Sequence, residues 1–209
     1  MFTKNMKSPK ITNTGFKSRL QQTWNNKDGV AAIEFALIAP IMIALYLGLA
    51  EVSLLISADR NVSHAASVTG DLATQEENLT TSDIEDIFNA SLAVMGTNFT
   101  NSQRVSIDIR SFEIDGSGNV QEVGYAKLGT GITDKYDATD TNAVLLNQAS
   151  GLVVTRVQYE YYSPSQTFVQ TPTLSETFML KPRKSVAIPF GSNITCSVIS
   201  SGNNVRASC

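Results

Sequence analysis

Gly29-Val30-Ala31-Ala32-Ile33-Glu34-Phe35 opens the stretch that decides the fold, an apolar run that continues to Ala58. From Val30 to Ala58 the only charged side chains are Glu34 and Glu51, and the sixteen residues between them carry no charge. At about 1.5 Å rise per helical residue, Val30 to Ala50 covers roughly 31 Å, the thickness of a bilayer's hydrocarbon core. The spacing predicts a membrane-spanning helix over 30–58. A cleaved secretory signal has an apolar region of only about 7 to 15 residues. A buried core helix would need wholly apolar partners, which the rest of the chain does not offer. Pro40 falls inside the run, removes one backbone hydrogen bond and is expected to kink the helix, a defect that membrane helices tolerate.

Charge is distributed unevenly about this run. Residues 1–29 carry Lys4, Lys7, Lys10, Lys17, Arg19 and Lys27 against Asp28 alone, whereas residues 60–209 carry ten Lys and Arg against fifteen Asp and Glu. Cationic flanks resist translocation, so the basic leader is expected in the cytoplasm and the net-acidic remainder, about 150 residues, beyond the membrane. In an oxidising space Cys196 and Cys209 can close a disulfide; two unpaired thiols in a mobile terminus are the alternative. Within the leader, Lys17 to Trp24 reads either as a short basic amphipathic turn on the membrane surface or as disordered chain.

Beyond Glu51 the apolar pattern narrows to a stripe at three- and four-residue spacing: Leu55, Ala58, Val62, Ala65 or Ala66, Thr69 and Leu72. One continuous helix is therefore expected to leave the membrane and lay its stripe on an outer domain. Ser82-Asp83-Ile84-Glu85 has the capping-box pattern, Ile84, Ile87, Phe88, Leu92 and Met95 follow at helical spacing, and Gly96 supplies the stop, which together predict a second helix over about 82–95. From Arg104 the period changes to two. Val105, Ile107, Ile109 and Phe112 alternate with Ser106, Asp108 and Arg110, and Asp115-Gly116-Ser117-Gly118 turns the chain into Val120–Leu128, a β-hairpin. Gly129 to Ala143 reads as a polar excursion, Leu152 to Tyr162 as the strongest strand, and Leu174–Leu180 and Ser185–Phe190 as one or two more. The fold expected is α+β: a basic leader at 1–29, the spanning helix at 30–58, an outer domain at 59–190 with an antiparallel sheet, and a polar cysteine-containing tail at 191–209.

Gly29 followed by Glu34 and Phe35 at the edge of a single N-terminal apolar run, behind a basic leader, resembles the processing signal of type IV pilin-like proteins. The wider stretch Gly-Val-Ala-Ala-Ile-Glu-Phe-Ala-Leu-Ile-Ala-Pro, continuing to Gly48-Leu49-Ala50-Glu51, resembles the TadE-like pseudopilins of the tight-adherence pilus machinery over about residues 28–75. The sister TadF-type proteins share the cleavage signal. The resemblance implies that a prepilin peptidase cuts between Gly29 and Val30 and that Glu34 pairs with the N-terminal amine of a neighbouring subunit. It also implies an inner-membrane, single-pass protein with a periplasmic domain, and partners among other pilin-like subunits, the assembly machinery and the bilayer. A physical reason stands beside it. A carboxylate in a spanning helix costs about 2.5–3.5 kcal/mol near the bilayer centre, and less toward an interface, so Glu34 calls for a partner or for snorkelling. Glu51 falls at the far interface, where hydration alone is expected to satisfy it.

Chemistry is sparse elsewhere. His64 is the single histidine and sits off the apolar stripe, where solvation is the simplest role. Asp115-Gly116-Ser117-Gly118-Asn119 lacks the glycine and glutamate of a calcium loop and reads as a hairpin turn, while Asp134, Asp137 and Asp140 read as a solvated surface rather than a calcium site. No phosphate-binding or dinucleotide glycine pattern occurs, and an acidic outer part argues against nucleic acid. Neither cofactor, metal nor catalytic set is expected. The leading reading is a non-enzymatic pseudopilin or minor pilin for assembling an adhesive pilus. The alternative is a membrane-anchored periplasmic binding or sensor domain that retains its leader. A membrane-tethered enzyme is the weakest reading, for want of convergent catalytic residues.

Overall fold

The computed structural model describes residues 29–96, 104–115, 117–137, 151–166, 169–201 and 204–209. The leader at 1–28, Gly116 and residues 138–150, among them Asp140, lie outside them. The chain divides into two units, Met1–Leu47 and Gly48–Cys209. Described residues of the first unit are the beginning of helix α1, which runs unbroken from Val30 to Gln75 with Pro40 inside it.

The second unit holds the rest of α1, helix α2 (Thr81–Met95) and six strands: β1 (Val105–Ile114), β2 (Val120–Leu128), β3 (Leu152–Glu160), β4 (Thr173–Leu180), β5 (Ile194–Ser201) and β6 (Asn204–Ser208). They form one sheet in the order β4-β3-β1-β2-β5-β6. The expected antiparallel pairing holds for β1 with β2 and β3, for β3 with β4, and for β5 with β6. It is corrected at β2–β5, which pair in parallel through Ala126↔Ile194 to Leu128↔Cys196, making the sheet mixed.

One sheet face carries the core. Ala58, Val62, Ala65, Ala66 and Ala73 of α1 and Ile84, Ile87, Phe88, Leu92 and Met95 of α2 pack with Val105, Ile107, Ile109, Val157 and Ile194. The small stripe of α1 brings helix and sheet close, as at Gly70, where a Cβ would stand 3.0 Å from Thr155 Oγ1 and 2.6 Å from Leu180 Cδ1. Buried Thr69 and Ser91 join hydroxyls between the two helices. On the opposite face Phe112, Leu152 and Val154 form a second, smaller cluster with Ile114, Val120 and Tyr136.

Three local expectations are corrected. The capping box of α2 lies two residues upstream of Ser82: Thr80 Oγ1 accepts from Asp83 N at 3.3 Å, and Asp83 Oδ2 accepts from Thr80 N at 3.0 Å. Thr80 and Asp83 have the required three-residue offset, so the helix begins at Thr81. Ser185–Phe190 forms no strand, because Ile188 N donates to the Ser111 hydroxyl, Pro189 has no amide proton, and only Phe190 bridges, to Leu79. The tail at 191–209 supplies β5 and β6, with Ile194 and Cys196 turned into the core and Thr195 and Ser197 exposed. Edge strand β6 is covered by α2: Ala207 N donates to Asn89 Oδ1 at 2.9 Å, which occupies an otherwise open edge amide.

Candidate functional site

Helix α1 begins at Val30, the residue directly after Gly29. Val30 and Glu34 are four residues apart and share a face of the first turn, with Cβ atoms about 6 Å apart in such a pair. Both are exposed, and Phe35 beside them is 72% exposed. None of the residues in the most apolar part of α1 is buried. A helix of this length that presents apolar side chains on every side needs an apolar surround. Among the described residues one apolar helix of this kind occurs, near the N-terminus, which is compatible with a single-pass membrane protein.

At Glu51 the surroundings change. Its side chain is not hydrated, as the end of the apolar run suggests, but enclosed: the residue is 5% exposed. Oε1 accepts from the Ser165 amide at 3.2 Å and from the Ser165 hydroxyl, and Oε2 accepts from the Val169 amide at 3.2 Å. Both donor residues come from the connection between β3 and β4. Three protein donors thus replace water around one carboxylate, the arrangement that lets a buried charge persist. Tyr161, at the start of that connection, has its phenol pKa pushed up, first by burial and then by the Glu51 charge.

Residues 29–70 match the family model of TadE-like proteins. No curated protein and no solved structure gives a significant match to the chain. The TadE-like segment starts at Gly29, takes in Glu34, Phe35 and Glu51, and ends at Gly70, which abuts Thr155 and Leu180 of the sheet.

Outside the TadE-like segment, the period-two strand β1 conceals a charged network. Ser106, Asp108 and Arg110 would be a wet face by pattern, yet all three are buried. Asp108 Oδ2 accepts from Arg110 Nε at 2.8 Å and from Arg156 of β3 at 2.6 Å, while Arg110 reaches Glu122 at 3.0 Å. Arg156 also pairs with Asp134 at 2.6 Å, and Lys135 pairs with Glu122 at 3.1 Å. Three cations meet three carboxylates, so the network is balanced and ties β1, β2, β3 and the start of the excursion together. The Arg156 hydrogen bond and then its charge hold Asp134 below the usual carboxylate range. Among the described residues no group of three His, Cys, Asp or Glu is arranged to hold a metal ion.

The Asp115 carboxylate accepts from the amides of Ser117 at 2.8 Å and Asn119 at 2.9 Å, so this side chain closes its own hairpin turn. Cys196 and Cys209 form a disulfide between β5 and the residue after β6. They belong to the second unit, whereas Gly29, Val30, Glu34 and Phe35 belong to the first. The sequence had no signal for the partners of Glu51: Ser165 and Val169 lie in an unremarkable Ser- and Gln-containing connection.

Proposed function

We propose that the protein is a pseudopilin or minor pilin-like subunit that acts structurally, without catalysis of its own, in assembling an adhesive pilus of the tight-adherence type. The observation that carries this reading is the TadE-like match beginning at Gly29, on a helix whose first turn holds an exposed Glu34 and is followed by sixteen uncharged residues. In this reading a prepilin peptidase removes residues 1–29, leaving a new α-amine at Val30 on the cytoplasmic side of the inner membrane. The outer domain is periplasmic. The Glu34 carboxylate then pairs with the α-amine of a neighbouring pilin-like subunit. Pairing neutralises two charges that are costly in lipid and sets the axial register between subunits. Other pilin-like subunits and the inner-membrane assembly machinery are the partners.

Glu34→Ala tests the role. The variant is expected to insert and to be cleaved normally while losing pilus assembly, as scored by shed pilin and electron microscopy. Normal piliation by Glu34→Ala would remove Glu34 from the assembly mechanism.

A further inference from the structure

Apolar exposure on α1 does not stop at Glu51. Leu49 precedes it, and Val52, Leu54 and Ile56 follow at 45–51% exposure; Asp59 and Arg60 are the first charged residues after them. At 1.5 Å per residue, Glu51 therefore sits about 7 Å short of the last of these exposed apolar side chains. On one face at this level the helix is covered by its own domain, through Glu51, Leu55 and Ala58; on the flanks it is bare and apolar. The run from Val30 to Ile56 would measure about 40 Å, about 10 Å more than a hydrocarbon core.

We infer that the β3–β4 connection, at residues 162–166 and Val169, is seated in the interfacial layer of the outer leaflet, so that the outer domain docks on phospholipid rather than standing clear of it. The inference rests on reading α1 as the membrane span. Three observations carry it. The connection touches the helix at Glu51, between exposed apolar residues on both sides, so its level is set by the helix's own register. The Glu51 carboxylate receives Ser165 N–H, Ser165 O–H and Val169 N–H, which supplies inside the protein the donors that water provides at an ordinary surface. The connection also carries Tyr162, which is exposed and has the Arg104 guanidinium 4.6 Å from its ring centroid. An aromatic ring with a cation at its face suits the headgroup layer, the ring toward acyl chains and the guanidinium toward phosphate.

The test uses the full chain with Trp24→Phe, reconstituted in phosphatidylcholine vesicles whose acyl chains carry bromine, a quencher of tryptophan at short range. Four single reporters are compared: Leu45→Trp in the span, Tyr162→Trp and Pro164→Trp in the connection, and Glu77→Trp beyond the end of α1. Tyr162→Trp is the conservative replacement and reads the same level should Pro164→Trp disturb folding. The expected result is strong loss of emission at Leu45→Trp, at least half that fractional loss with a blue shift at Tyr162→Trp and Pro164→Trp, and no loss at Glu77→Trp. Quenching at Leu45→Trp with none at positions 162 and 164 would overturn the docking while leaving the span intact. No quenching at Leu45→Trp would overturn the span itself, and the docking with it.

Discussion

Ser165 donates its backbone amide to Glu51 Oε1 at 3.2 Å, across 114 residues of sequence. This contact converts a residue at the end of an apolar helix into the clasp of a β3–β4 connection. Glu51→Ala leaves the amides of Ser165 and Val169 without their acceptor, and the connection should open first. Limited proteolysis of the detergent-solubilised protein is expected to cut the variant within 162–166 while the parent resists there. Equal resistance would show that the clasp is dispensable.

Thr80→Ala and Ser82→Ala separate the two capping registers. Removing an N-cap hydroxyl costs about 1 kcal/mol, whereas a surface serine one turn position inside the helix contributes within about 0.5 kcal/mol. Denaturant unfolding should therefore show a lowered midpoint for Thr80→Ala and little change for Ser82→Ala. The reverse order would restore the box that sequence spacing suggested.

Acid should weaken the outer domain in a defined window. Asp83 is held below its ordinary value of 3.8 by the Thr80 hydroxyl and amide, Asp115 by the Asn119 amide, and Asp134 by the hydrogen bond and charge of Arg156. A carboxylate whose folded pKa lies below its unfolded pKa stabilises the fold above the unfolded value, and that stability is lost as pH falls through the folded value. Thermal unfolding is expected to hold its midpoint down to about pH 4 and to decline below it. A midpoint that stays level or rises in that window would contradict these assignments.

Much of the architecture is legible in the sequence because its signals are local. The periodicity of Leu55 to Leu72 marks the stripe of α1, and the alternation from Val105 to Ile109 with the turn at Asp115 marks the β1–β2 hairpin. What is not legible depends on partners far along the chain. Asp108 and Arg110 look solvent-facing until Arg156, 48 residues beyond Asp108, closes over them. Glu51 looks hydrated until Ser165 reaches it. Ile194, Cys196 and Val198 do alternate, but in a Ser- and Asn-rich stretch too short to outweigh its polar composition. The candidate site divides likewise: Gly29, Glu34 and Phe35 are visible in one window, and the clasp is not.

The Cys196–Cys209 disulfide closes a thirteen-residue interval around the β5–β6 hairpin. Constraint of a loop near this length contributes about 3 kcal/mol to stability in the chain-entropy account. Replacing both cysteines with serine is expected to lower the unfolding midpoint by a corresponding amount and to speed amide exchange across β5 and β6 first. An unchanged midpoint would show that the hairpin holds without the bond.

Processing after Gly29, as proposed, makes Val30 the mature first residue of α1. Intact-mass and N-terminal measurement of the protein from its native membrane tests it most directly. The expected chain begins at Val30, with residues 1–29 gone. A chain that keeps residues 1–29 in cells with an active prepilin peptidase would contradict it.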